Sequence, residues 1–317
     1  MLAIDGGNSK TDVALVAADG RVLGTARGPG ALVPDPEGLE VLVREAARTA
    51  GLDGSGPVAD HTSACLANAD LPEEEAALAR ELSARGWSGS TRVYNDTFAL
   101  LRSGSARPWG VAVVCGAGIN CVGIGPDGRV SRFLALGMFT GDWGGGSWLA
   151  DEMMWWAMRA EDGRGPQTVL RELVPARFGL DSVHEVAVAV HQRRIGADAL
   201  VAMSPVLFQA ADAGDQVAGA LVDRQAEEVF LMARVALERL GLLESDAEVV
   251  LGGGVLAARH PRLIGGIRDR LGQVAPRAVL CQPDIPPVAG AALLGLDRLG
   301  RGAAAAATRL RAHYSVG

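Results

Sequence analysis

Three glycine-rich loops, and the carboxylates beside them, carry the chemistry that can be read from this chain of 317 residues. Asp5-Gly6-Gly7-Asn8-Ser9-Lys10-Thr11, Cys115-Gly116-Ala117-Gly118-Ile119-Asn120 and Gly252-Gly253-Gly254 each follow a short apolar run. Glycine lets backbone N–H groups approach an anion closely, so such loops point to phosphate. Neither of the first two is a familiar nucleotide motif. A P-loop needs Gly-x4-Gly-Lys-Ser/Thr leading into a helix, whereas Lys10-Thr11 follows Ser9 and enters an alternating, strand-like stretch; a dinucleotide fingerprint would need glycine where Cys121 stands. Both loops read as β-hairpin tips, and two tips can grip one polyphosphate from opposite sides. Asp96 follows the strand-like Arg92-Val93-Tyr94, which places it at the carboxyl end of a sheet, where open α/β sheets bind ligands. A carboxylate there can take a proton from an acceptor hydroxyl. The competing reading makes Asn95 or Asp96 the N-cap of a helix at 97–101.

The elements that must position these residues alternate. Strand, glycine loop, strand, Asp-Gly turn and strand open the chain, and the same order returns from Gly110. Asp19-Gly20-Arg21-Val22 and Asp127-Gly128-Arg129-Val130 are identical, which reads as an internal duplication. Helices are expected at 37–50 and 73–86, with strands at 58–64 and 91–94. Beyond the second hairpin come a helix at about 147–160, a mostly helical stretch to about 241, strands at 248–251 and 278–281, and helices after Pro261 and from 288. Residues 303–307 read as a helix extension or a frayed end. The expected organisation is α/β in two halves, 1–108 and 109–317, the second with a helical insertion at about 150–245.

Composition narrows the partners. A hydrophobic content of 49% supports a large core. The formal charge of −7 disfavours nucleic acid and anionic membranes, and of thirty Lys and Arg residues only Lys10 is a lysine. The four cysteines, Cys65, Cys115, Cys121 and Cys281, form no CxxC pair. No basic leader precedes an apolar stretch, and no run nears the ~20 apolar residues of a bilayer span, so a cytoplasmic protein is expected.

Taken in order, the glycine loops, Asn95-Asp96, Gly141-Asp142-Trp143-Gly144-Gly145-Gly146-Ser147-Trp148 and Gly252-Gly253-Gly254-Val255 resemble the motifs of the BadF/BadG/BcrA/BcrD ATPase family over about residues 2–299. Within it the chain is most similar to amino-sugar kinases of the N-acetylglucosamine kinase type. The resemblance implies two duplicated ribonuclease H-like (actin-like ATPase) domains with a nucleotide cleft between them. It implies ATP held by Gly6, Gly7, Asn8, Ser9, Lys10, Thr11, Gly116, Ala117, Gly118, Ile119, Gly252, Gly253 and Gly254, with Mg²⁺ held by Asp5 and Asp96 as catalytic base. An amino sugar would meet Asn95, Asp96, Gly118, Asn120, Gly141, Asp142 and Trp143, with Trp143 stacking on a sugar face. Trp148, Trp155 and Trp156 read as core or a subunit interface, and the related kinases imply a homodimer. The chain departs from the pattern at Cys115, Ala117 and Ile119, where small hydroxyl residues are usual, at Trp143, where an acid is common, and in 28–33, which lacks a sugar-binding asparagine. Two rival readings are an ATPase activator with an interfacial iron–sulfur cluster, whose cysteine context Cys115 and Cys121 do not match, and a non-catalytic sugar or nucleotide sensor.

Overall fold

A computed structural model describes residues 1–8, 10–30, 35–53, 56–300 and 303–315. The first sheet is built from β1 (Leu2–Gly6), β2 (Lys10–Val16), β3 (Val22–Pro29), β4 (Thr62–Leu66) and β5 (Thr91–Asn95), with α1 (Pro36–Thr49) and α2 (Pro72–Ala84) between its strands. Helix α3 (Asp96–Gly104) leads to β6 (Gly110–Cys115), β7 (Ile119–Ile124) and β8 (Val130–Arg132). Six helices follow: α4 (Gly146–Glu161), α5 (Leu170–Arg177), α6 (Val183–His191), α7 (Ala197–Val201), α8 (Ser204–Asp212) and α9 (Gln216–Leu240). The chain then forms β9 (Glu248–Gly252), α10 (Gly254–Ala257), α11 (Pro261–Val274), β10 (Val279–Cys281), α12 (Pro287–Leu299) and α13 (Ala303–Tyr314).

The two sheets have one topology. The first runs β3-β2-β1-β4-β5 and the second β8-β7-β6-β9-β10. In each, the first three strands are antiparallel and the last two join in parallel. The repeated tetrapeptides occupy equivalent turns. Ala17 N–H donates to Arg21 O at 2.9 Å and Gly125 N–H to Arg129 O at 2.8 Å. In each turn the aspartate accepts from the arginine amide, Asp19 at 3.1 Å and Asp127 at 3.0 Å. A backbone turn and its side-chain cap have thus been duplicated together.

Leu2, Ala3 and Ile4 are wholly buried because β1 is a central strand covered on both faces. Leu39, Leu42 and Val43 of α1 pack on one face of its sheet. Pro36 opens α1, and Asp35 caps it by accepting from Glu37 N–H at 3.0 Å. The other face is covered by α12 and α13, whose Val288, Ala292, Leu293, Leu296, Ala306 and Leu310 cluster with Ala3, Ala14 and Val16. The strands of the first sheet lie within residues 2–95 and those of the second within 110–281, yet these last two helices lie against the first.

Two local expectations change. The strand expected at 58–64 is β4, shifted to Thr62–Leu66, because parallel pairing of Leu2 with Thr62 through Gly6 with Leu66 sets its register. Val58 instead donates to Trp87 O at 2.7 Å, outside the sheet. The tail at 303–307 is neither an extension of the preceding helix nor frayed: it begins α13, whose docked face buries Ala306 and Leu310. Arg311 secures α13 by donating to the carbonyls of Arg102, Ser103 and Ser105. Among the described residues no helix is long and apolar enough to cross a membrane.

Leu310 is fully buried, so Leu310→Ala should destabilise the protein by about 2–5 kcal/mol in a denaturant titration. A loss below about 0.5 kcal/mol, the range of a surface substitution, would show that α13 does not hold the first sheet.

Candidate functional site

The first hairpin tip is closed by Gly7 N–H donating to Lys10 O at 2.9 Å. The second is closed by Gly116 N–H donating to Gly118 O at 3.0 Å, and it is clamped from two sides. At the head of α4, Gly146 N–H donates to Gly116 O at 2.7 Å and Ser147 N–H to Ala117 O at 2.9 Å. Gly145 has φ +90°, and a Cβ there would come within 2.5 Å of Gly118 O. Gly253, at φ +86°, lies as close to the Cys115 carbonyl: a Cβ would meet it at 2.4 Å. Only glycine fits either contact. The second tip, the 141–147 segment and the third glycine loop therefore form one packed unit.

One cavity of about 240 Å³ brings the two tips together. Asn8 comes from the first, and Gly116, Ala117, Gly118, Ile119 and Asn120 from the second. Asn68, Asp70 and Asp96 line the same space. Asn95 is the N-cap, its Oδ1 accepting from Thr97 N–H at 3.1 Å, while Asp96 is the first residue of α3 and faces the cavity. Burial and then the neighbouring Asp70 push the Asp96 carboxyl up to about 6, against hydrogen bonds from the helix N-terminus that favour its ionised form. A carboxylate so tuned is still ionised near neutrality yet a better base than a free one.

Asp5 lies within electrostatic reach of Asp96. Burial first, then the charge of Asp96, raises its carboxyl to about 7, while Lys10 opposes the shift. Two crowded carboxylates, one at the first tip and one at the head of α3, make a setting that a divalent cation would relieve, and one carboxylate with phosphate oxygens and water suffices for Mg²⁺. Among the described residues no group of three or more His, Cys, Asp or Glu side chains forms a complete metal cage.

The remaining expected residues fall into different surroundings. Gly6, Gly7 and Thr11 line a second cavity of about 260 Å³ with Leu39 and Leu42, adjoining the first through Ala67. Lys10 is half-exposed and its ammonium pairs with Asp12 at 2.5 Å, where Arg27 also pairs. Gly252 ends β9 against Leu100 of α3, and Gly254 begins α10. Gly141, at φ +88°, ends a short 3-10 turn. Asp142 is buried, takes a hydrogen bond from the Thr140 hydroxyl at 2.5 Å, and lies within electrostatic reach of Asp70. Trp143 belongs to the hydrophobic core of the second half, with the Arg224 guanidinium 4.0 Å from its ring centroid. That guanidinium occupies a ring face a sugar would need. Ser9 and residues 31–33 lie outside the described residues. Trp148 and Trp156 pack on the core, whereas Trp155 is 58% exposed. Cys65, Cys115 and Cys121 are free but buried, leaving Cys115 and Cys121 unsuited to an interfacial cluster.

Four residues that serve the site were not singled out from sequence. Asp70 Oδ1 accepts from Asn95 Nδ2 at 2.8 Å and from Asn120 Nδ2 at 3.3 Å, so it ties the two halves together. Burial, with Glu74 adding to it, raises its carboxyl to about 6. It follows the carboxyl end of β4, a position that correct placement of that strand would have exposed. Gln225 of α9 holds Gly145 N–H at 3.0 Å. A lone glutamine in an apolar helix face is the signal. Glu75 and Arg132, paired across the halves, carry no local signal at all, being 57 residues apart.

An N-acetylmuramic acid/N-acetylglucosamine kinase from Clostridium acetobutylicum is 25% identical over 260 residues, covering 81% of this chain and 85% of that protein. An N-acetyl-D-glucosamine kinase from Dictyostelium discoideum is 23% identical, over 93% of this chain and 97% of that one. A solved structure from Chromobacterium violaceum, a candidate N-acetylglucosamine kinase, superposes with a TM-score of 0.70 at 24% identity, covering 92% of this chain and 97% of that one, and so shares its fold. The model of the BadF/BadG/BcrA/BcrD ATPase family matches residues 2–295, and with that match the paired sheets and converging hairpin tips have their explanation: the chain belongs to this family.

Proposed function

We propose that this protein is an ATP-dependent kinase that transfers the γ-phosphoryl group to a hydroxyl of an amino sugar, N-acetylglucosamine or glucosamine. The observation that carries the reading is the single cavity in which both hairpin tips meet Asp96. The names of the two curated relatives support the substrate class.

The roles follow from position. Backbone N–H groups of Gly6–Asn8 and Gly116–Ile119 cradle the phosphates, so the loss of hydroxyl side chains at Cys115, Ala117 and Ile119 leaves that contact intact. Lys10 exchanges Asp12 for a phosphate oxygen, and Thr11 donates its hydroxyl. Gly252, Gly253 and Gly254 give the nucleoside a side-chain-free wall. Bound Mg²⁺, held through Asp5, would neutralise charge on the β- and γ-phosphates. Asp96 accepts the acceptor hydroxyl proton as that oxygen bonds to the γ-phosphorus and the bond to the ADP oxygen breaks. Asn95, Asn120, Gly118, Gly141 and Asp142 orient the sugar hydroxyls. With Trp143 under Arg224, the sugar is held by polar contacts more than by stacking. A cytoplasmic homodimer belongs to the same reading, with Trp155 the exposed tryptophan such an interface would cover.

Asp96→Asn should bind ATP normally while kcat falls at least about a hundredfold with every sugar tested, the scale of a lost general base. Near-normal ADP release, in a coupled assay over N-acetylglucosamine, glucosamine, N-acetylmannosamine, N-acetylmuramic acid and glucose, would refute the role. Gly145→Ala forces a side chain onto Gly118 O, so it should weaken ATP binding by calorimetry by roughly tenfold, about 1.4 kcal/mol. The control is Gly272→Ala, where nothing lies within 4 Å of the new Cβ; it should leave affinity unchanged. Equal affinities in both variants would separate the 145 contact from nucleotide binding.

A further inference from the structure

The peptide that delivers Asp96 is held by a side chain that the opposite half of the molecule in turn holds. Glu75, on α2, accepts the backbone N–H of Asn95 through Oε1 at 2.8 Å. The same carboxylate takes both terminal nitrogens of Arg132, at 3.1 Å to Oε2 and 2.5 Å to Oε1. Arg132 ends β8 in the second sheet, and its guanidinium also lies 5.1 Å from the ring centroid of Phe98 in α3. Both side chains are mostly buried, 24% and 16% exposed, and a bidentate fork permits only a narrow range of orientations. The remaining groups on this peptide are occupied: Asn95 Oδ1 caps Thr97, and Asn95 Nδ2 is held by Asp70, which also receives Asn120 from the second sheet. The Asn95–Asp96 turn thus hangs between two bridges that each cross from one half to the other.

We infer that Glu75 and Arg132 are positioning residues for Asp96: Arg132 holds Glu75 on the Asn95 amide, and so ties the aim of the catalytic carboxylate to the placement of the second half. The inference rests on Asp96 being the proton acceptor. Its physical basis is that Asn95 is almost wholly buried, so a Glu75 drawn aside leaves an amide that finds no water. The turn then relaxes, and a displacement of about 1 Å at the reacting group costs on the order of a hundredfold in rate. Movement of one half relative to the other reaches Asp96 through this bridge, so the base is aimed only when the halves are in register.

The test uses the whole protein with ATP and either N-acetylglucosamine or glucosamine. Glu75→Ala and Arg132→Gln should lower kcat by roughly tenfold to a hundredfold, with KM for ATP within about twofold and little change in melting temperature. Glu75→Gln keeps an oxygen for the Asn95 amide and should recover much of the loss. The double variant Glu75→Ala/Arg132→Gln should be no slower than Glu75→Ala, because Arg132 acts through Glu75. Additive losses, or a KM rise at constant kcat, would make the pair simple cement between the halves and overturn the inference. Should Glu75→Ala fail to fold, Arg132→Gln still decides, since wild-type kcat in that variant would sink the inference. Hydrogen exchange of the peptide spanning residues 92–98 needs no acceptor: Arg132→Gln should speed exchange at the Asn95 amide, and an unchanged rate overturns the bridge. If the wild-type protein phosphorylates neither sugar while Arg132→Gln still speeds exchange at the Asn95 amide, the proposed function is refuted and the bridge stands.

Discussion

Helix α3 is the part on which the rest depends. It has nine residues, too few to be stable alone in water, and Thr97 through Ser103 are all buried. Phe98, Leu100 and Leu101 pack against Ala112, Val122 and Val250 of the second sheet, while Ala99 joins the cluster that α12 and α13 form on the first. At Gly290 of α12 a Cβ would lie 2.0 Å from Ala99 O, so the two helices touch at backbone distance. Arg102 pairs with Asp297, and Arg311 takes up carbonyls at the far end of α3. All this surrounds an element whose first residue is Asp96. The Asp96 carboxylate is therefore held in place by tertiary packing, and not by helix propensity, because that packing is what makes α3.

The site also carries an electrostatic tension. Beyond burial, Asp96 raises the proton affinity of Asp5, Asp70 that of Asp96, and Glu74 and Asp142 that of Asp70, in a cleft assigned to a polyanionic nucleotide. Backbone amides of the hairpin tips attract phosphate without bringing a countercharge of their own, and one lysine stands at the first tip. In the proposed function such a cleft would favour the nucleotide as its magnesium complex over the bare anion and would give Asp96 the basicity that proton removal needs. Burial is the larger cause of each shift, so closure of the cleft around ligands would strengthen both effects.

Duplication explains the frame, and departures from it explain the chemistry. The two sheets share strand order and even the Asp-Gly-Arg-Val turn, but the first tip carries Asp5 and Lys10, whereas the second carries small and apolar residues backed by Gly145 and Gly253. One tip supplies charge and the other supplies shape. The helices α4–α9 enter after β8, and two of them serve the second tip, through the amides at the head of α4 and through Gln225 of α9.

Local pattern by itself determined the two hairpins, the α/β alternation, the duplication and the family, because glycine, Asp-Gly turns and apolar runs act over a few residues. It also marked Asp96 and the loops that meet it. Tertiary structure alone decided the rest. The register of β4 came from pairing with β1, which is why Asp70 was not seen as a cleft residue. The Arg224 guanidinium that lies over the Trp143 ring comes from 81 positions away. The tail looked like a frayed end until a sheet at the other end of the chain buried Leu310, and Glu75 and Arg132 acquired meaning only when the halves met at Asn95. In each case the deciding partner is remote in sequence, and burial, the force that recruits it, depends on what covers a side chain and not on its neighbours along the chain.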